Sequence, residues 1–230
     1  MQNYIIAFNR ANRKGVFLYF CGKNSLMKRF LAVLLLLVAC VNGFCVEVDS
    51  LFLQLPSEVL PQLDRTARLN LLDYYRAGIA SNVTDNLGGK CEISHCDSVL
   101  LTLNQGETTR LQLRLYADEG VVAVVETYRS LFAYSRLSFY RYSDWSPANV
   151  AWPNLQVSEF VRPSEEGDKA EWQIVCRKLE QAPFFCYEFR PGLPNLFCSL
   201  SVGLLSIDEQ EFIEPYVTQW KSYTVRFDVP

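Results

Sequence analysis

Between Val99 and Tyr142 the side chains change character at every second position, and the runs are joined by turns of only a few residues. A two-residue period is that of a half-buried strand. Connections this short make antiparallel hairpins, because a parallel crossover needs about a dozen residues or more. Val99, Leu101 and Leu103 alternate with Thr102 and Asn104, and Asn104-Gln105-Gly106-Glu107 turns the chain. Thr109, Leu111, Leu113 and Leu115 then alternate with Arg110, Gln112, Arg114 and Tyr116. Asp118-Glu119-Gly120 is a tight hairpin turn. Val121 to Val125 is apolar on both faces and reads as an interior strand, and Ser135 to Tyr142 completes the meander. The alternation places Leu113 in the core and Gln112 in water.

The flanking segments make the chain α+β. Residues 49–77 read as helical, with Pro56 suited to a first turn and Pro61 limiting that piece. Asp64 can cap a helix from Arg65 to Ala77 that stops at Gly78. Leu63, Ala67, Leu71, Leu72 and Tyr75 fall near one face of it, leaving Arg65, Arg68 and Arg76 wet. After a loop around Trp145 to Asn154 and an acidic loop at Ser164 to Lys169, strands are expected at Glu171–Lys178, Phe184–Arg190, Leu196–Val202 and Ser222–Phe227. Ser206-Ile207-Asp208-Glu209 is a capping box opening a short helix that ends near Pro215. The expected architecture is an N-terminal helical segment packed on a mostly antiparallel meander, a second antiparallel section and one short C-terminal helix. Residues 46–230 would form a single domain.

Charge divides the chain. Six basic residues and no acids precede Val46, which leaves 16 of the 22 basic residues and all 25 acidic ones behind it, a net of about −9. Such a domain lacks the electrostatic footprint for nucleic acid and repels an anionic lipid surface. Met27-Lys28-Arg29 followed by the ten apolar residues Phe30–Ala39 reads as the start of a signal peptide over residues 27–45. Ten residues make a helix of about 15 Å, half a bilayer core. Residues 1–26 then read as a mis-called start or a dispensable extension. Leu37-Val38-Ala39-Cys40 resembles a lipobox, which would make Cys40 a lipidated N-terminus, although it is only the fourteenth residue counting from Met27. Cleavage after Gly43 or Cys45 is the competing outcome. The mature protein is expected to begin between Cys40 and Val46 and to be periplasmic or outer-membrane associated, touching a membrane only if lipidated at Cys40.

The stretch Leu51-Phe52-Leu53-Gln54-Leu55-Pro56-Ser57-Glu58-Val59-Leu60-Pro61-Gln62-Leu63, followed by Arg68-Leu69-Asn70-Leu71-Leu72-Asp73-Tyr74, resembles a Bacteroidales family of exported proteins, the domain-of-unknown-function family numbered 3256. The Gly88-Gly89 turn and the Leu-rich strand at 109–115 are similar to it as well, whereas Asn70 stands where the family pattern has an acid. The resemblance implies a Gram-negative envelope location and ordinary signal cleavage. It carries no activity and no catalytic residues.

His95 is the one histidine, in Cys91-Glu92-Ile93-Ser94-His95-Cys96. The spacing is off the Cys-x2-Cys pattern of zinc knuckles, and a fourth ligand would have to come from Cys176, Cys186 or Cys198. The segment is expected to be a turn before a strand, its thiols free or bridged, with no zinc and no other cofactor. Cys–His catalysis would have to use His95, and neither a Gly-x-Ser-x-Gly elbow nor a phosphate loop occurs. Glu165-Glu166 reads as a solvated loop. Ser50 in Asp49-Ser50-Leu51 and Ser98 in Asp97-Ser98-Val99 resemble the Asp-Ser/Thr-aliphatic O-glycosylation acceptors of that bacterial group, and Asn82-Val83-Thr84 matches an N-glycan acceptor expected to be idle. Cys186 and Cys198 are expected opposite each other and reduced, in a hairpin centred on Gly192.

The candidate binding face comprises Arg110, Gln112, Arg114 and Tyr116 on one strand and Arg136, Ser138, Tyr140 and Tyr142 on another. Arg and Tyr are enriched where proteins bind proteins and sugars. The competing reading is a plain solvated face. The function expected is a non-enzymatic envelope protein binding a protein, peptide or glycan. An envelope lipoprotein with a structural or assembly role and an unrecognised envelope enzyme are the alternatives.

Overall fold

The computed structural model describes residues 46–163 and 169–227; the segment expected to be a signal peptide, Cys40 and the Glu165-Glu166 pair lie outside them. The first helix, α1 (Val48–Gln54), is followed by a single turn in which Leu60 N–H donates to Pro56 C=O, and Pro61 ends it. Helix α2 (Arg65–Ala77) begins where Asp64 accepts the Ala67 amide at 2.7 Å. It ends at Gly78, whose φ of 66° closes the helix in a conformation that a Cβ would strain.

Five strands follow as one antiparallel sheet in sequence order: β1 (Cys91–Cys96), β2 (Leu100–Gln105), β3 (Thr109–Tyr116), β4 (Val121–Arg129) and β5 (Ala133–Arg141). The meander is therefore as expected, with one strand more. Cys91–Cys96 is an edge strand and not a turn, irregular between Ile93 and His95. Residues paired across an antiparallel ladder share a face. Leu101, Leu103, Leu111, Leu113, Leu115, Val122 and Val124 thus point one way and pack with Leu51, Phe52, Leu71 and Leu72 of the two helices.

The opposite face is also covered. Leu100, Ala123 and Val125 pack with Phe189 and Leu196, which belong to β7 (Phe184–Phe189) and β8 (Leu196–Ser201). Strands β7, β8 and β9 (Lys221–Tyr223) form a three-stranded sheet, and β6 (Val150–Ala151) pairs with β10 (Arg226–Phe227). The last segment is thus two short strands in two sheets and not one strand from Ser222 to Phe227. Residues 171–178 are not a strand either. They belong to helix α3 (Lys169–Gln181), because Trp172, Val175, Cys176 and Leu179 recur at a helical spacing and pack with Leu200, Leu205 and Ile213. Helix α4 (Ile207–Ile213) opens on the expected capping box, Ser206 accepting the Glu209 amide and the Glu209 carboxylate accepting the Ser206 amide.

Two local expectations are corrected. Arg68 is not wet but buried, donating to three backbone carbonyls. In the β7–β8 hairpin Tyr187, not Cys186, lies opposite Cys198, so the register is one residue off the expected one and the two thiols point to opposite faces. Leu113 is fully buried as expected. Leu113→Ala is expected to lower stability by about 2–5 kcal/mol in urea unfolding, and a loss under about 0.5 kcal/mol would contradict this packing.

Candidate functional site

The two halves of the expected binding face do not share a face. Arg110, Gln112, Arg114 and Tyr116 pair with Thr127, Val125, Ala123 and Val121, on the side that the second sheet covers. Gln112 is 2% exposed. Its amide donates to the Phe189 carbonyl at 2.8 Å and to the Thr102 hydroxyl at 3.1 Å, and its carbonyl accepts the Phe189 amide at 3.0 Å. A side-chain amide therefore stands in for a strand partner at the free edge of β7. Arg110 pairs with Glu188 at 2.9 Å, and Glu188 also accepts from Arg190. Tyr116 meets the Phe227 ring edge-on at 4.9 Å, and burial pushes its phenol up to about 12. These four residues are an interlayer contact and not a wet surface.

Arg136, Ser138 and Tyr140 pair with Glu126, Val124 and Val122 and so point to the helix side. Tyr142 lies just past β5, its hydroxyl reaching the Ala117 carbonyl at 3.5 Å. The helices contact β1, β2 and β3, and the outer part of β5 stays open. There Glu126 accepts from Arg136 Nε at 2.7 Å and from the Tyr128 hydroxyl at 3.2 Å. Burial, reinforced by Glu126, raises the Tyr128 pKa. Tyr128 stacks on Tyr134 at 5.2 Å, and Tyr140 packs against Trp145 at 6.1 Å. Trp145 has a φ of 59°, unusual for a bulky side chain. Beside it the Asp144 carboxylate accepts both the amide and the hydroxyl of Ser146, which lowers the Asp144 pKa. Tyr128, Tyr134 and Trp145 were not legible as part of this surface. Tyr128 and Tyr134 follow from the β4–β5 register, but Trp145 arrives through a loop that carries no period.

The cysteine and histidine positions offer no activated nucleophile. Cys91 and Cys96 lie at the two ends of β1, which at about 3.3 Å per residue sets them roughly 15 Å apart, too far for the bridge that the sequence left open. Burial pushes the thiols of Cys91, Cys96 and Cys176 up to about 11 and that of Cys198 to about 12. A thiol so raised is protonated at neutral pH and unreactive. The His95 ring contacts the Asp97 carboxylate at 3.0 Å. Burial opposes ionisation of Asp97, but the amides of Val99 and Leu100 together with His95 outweigh it and hold the carboxyl below the usual range. Among the described residues no three His, Cys, Asp or Glu side chains gather as metal ligands. Ser50 and Ser98 are both exposed, and they share one corner, where the Val48 amide donates to the Ser98 carbonyl at 3.2 Å.

Residues 41–227 match the family described as "Protein of unknown function (DUF3256)". The chain belongs to DUF3256. A solved structure described as "Structure of a domain of an uncharacterized protein from Porphyromonas gingivalis W83" superposes with a TM-score of 0.60 at 19% identity, covering 77% of this chain and 97% of that one. At that identity the likeness shows the fold alone, which is the α+β arrangement described above. A comparison with curated proteins finds no match. The DUF3256 match begins at Val41 and so takes in the whole described domain.

Proposed function

We propose that this DUF3256 chain is an exported cell-envelope protein of the non-enzymatic binding kind, holding a peptide or glycan ligand on the helix-side face of β5. One observation carries the reading. The Tyr128–Tyr134 stack and the Glu126–Arg136 pair lie along the helix-side face of β5, bordered by Tyr140 and Trp145 where these pack against the helix-side core, whereas Arg110 and Tyr116 are taken up between layers. Rings held against each other offer flat apolar area at little entropic cost, and the guanidinium beside them offers directed hydrogen bonds. Among the described residues no helix is long and apolar enough to cross a membrane. Export rests on the basic and apolar run at Met27–Ala39.

Affinity capture from a native envelope, with retained molecules identified by mass spectrometry, tests both parts. The wild-type protein is expected to retain a ligand that Tyr134→Ala/Arg136→Ala reduces about tenfold or more. Equal retention by the two proteins overturns the β5 site. N-terminal sequencing of the natural protein is expected to start between Cys40 and Val46, and a chain that keeps Phe30–Ala39 overturns export by this signal.

A further inference from the structure

On the other face of the five-stranded sheet the second layer covers only part of the strands. Strand β7 runs above β3, β4 and β5, where Glu188 meets Arg110, Phe189 meets Gln112 and the Tyr187 amide donates to the Ser135 hydroxyl. Over β1 and β2 it leaves a cleft of about 390 Å³. The floor is a register row of Glu92, Asn104 and Arg110 across three adjacent strands. Lys90, Glu107, Thr109 and Arg129 form the rim.

Three cations surround this cleft and are poorly compensated. Neither Lys90 nor Arg129 pairs with a carboxylate among the described residues. Arg110 bonds Glu188 through one nitrogen only, and its Nε is buried with no acceptor. Glu188 is itself divided between Arg110 and Arg190. Arg110 and Arg129, from adjacent strands, both line this cleft. A guanidinium with unused donors, half withdrawn from water, is the group that binds an oxyanion best.

We propose that this cleft binds a small ligand through a carboxylate or phosphate group, seated between Lys90, Arg110 and Arg129. The amide of Asn104, in the same register row as Arg110, supplies further hydrogen bonds. The carboxylates of Glu92 and Glu107 bound the ligand's size and charge. They repel a polyanion and accept from hydroxyl or ammonium groups on the rest of the molecule. The cleft lies on the opposite side of the sheet from the β5 surface, so it stands or falls independently.

The test is thermal unfolding of the purified protein titrated with sodium phosphate and with sodium acetate, each against sodium chloride at equal ionic strength. Phosphate or acetate is expected to raise the midpoint saturably beyond chloride, as binding to the native state must. Lys90→Gln and Arg129→Gln remove charges with no ion-pair partner, so both are expected to fold as the wild type does. Each is expected to raise the half-saturating concentration about tenfold. Tyr134→Ala/Arg136→Ala is expected to leave it unchanged. If neither anion exceeds chloride, or if both Gln variants saturate as the wild type does, the site does not exist.

Discussion

Arg68→Met is expected to lower the stability of the domain by about 3–5 kcal/mol. Arg68 is 5% exposed, and its guanidinium donates to the Leu63 carbonyl at 3.0 Å, the Phe52 carbonyl at 3.1 Å and the Leu55 carbonyl at 2.6 Å. The Phe52 and Leu55 carbonyls lie at the end of α1, where a helix leaves acceptors without intrahelical donors. One side chain of α2 therefore closes α1, ties it to the connecting segment, and holds both against the sheet. Methionine fills similar volume and leaves three buried carbonyls without that donor. Burial lowers the guanidinium pKa, with Asp64 opposing, yet an arginine stays charged. Arg68→Lys keeps the charge but loses the planar fork, and is expected to cost about 1–3 kcal/mol. Urea unfolding measures both. Arg65→Met, an exposed change on the same helix, is expected within about 0.5 kcal/mol of the wild type. An Arg68→Met midpoint as close as that would show the three bonds to be dispensable.

Gln112→Leu is expected to cost about 2–4 kcal/mol although it makes the sheet more apolar. The leucine preserves bulk but leaves the Phe189 amide and carbonyl, both bonded to Gln112 in the native fold, facing a hydrocarbon. An unpaired buried donor or acceptor carries its full desolvation penalty. The two sheets should also loosen locally, so exchange of the Phe189 amide with solvent deuterium is expected to quicken by more than the global stability change explains. A cost below about 0.5 kcal/mol, with unchanged exchange at Phe189, would mean that the layers are held by apolar packing alone. Alternation by itself gives the opposite expectation for Gln112, because a glutamine on a half-apolar strand looks the same whether water or a second layer stands opposite it.

The amino-acid sequence by itself determined whatever is settled within a few residues. The Asp64 cap and the Gly78 stop bound α2 where the pattern puts them, and Ser206 and Glu209 form their capping box. The turns at Gly106 and Gly120 join antiparallel strands, and Leu113 is buried. Each of these rests on a backbone group meeting a nearby side chain, or on a period of two. The stretch from Leu51 to Tyr74 was also enough to point to the family. Where a signal was short, two periods competed: Trp172, Ile174 and Cys176 alternate with Glu171, Gln173 and Arg177 as in a strand, while Trp172, Val175, Cys176 and Leu179 make the helical stripe that α3 packs inward.

Tertiary structure alone decided which polar side chains are surface. Arg68, Arg110 and Gln112 have the composition of solvated residues; Arg68 is drawn inward by carbonyls of the preceding helix and its connection, and Arg110 and Gln112 by Glu188 and the edge of β7, far along the chain. It also decided the register of the β7–β8 hairpin, where a slip of one residue sends Cys186 and Cys198 to opposite faces. It split the expected Arg and Tyr face in two, because β3 turns its polar residues toward the second sheet while β5 turns its own toward the helix side. For Arg110, Gln112 and the divided Arg and Tyr face the physical reason is the same. A side chain's face follows from its own strand, but what stands opposite that face belongs to a segment tens of residues away, and no local pattern carries it.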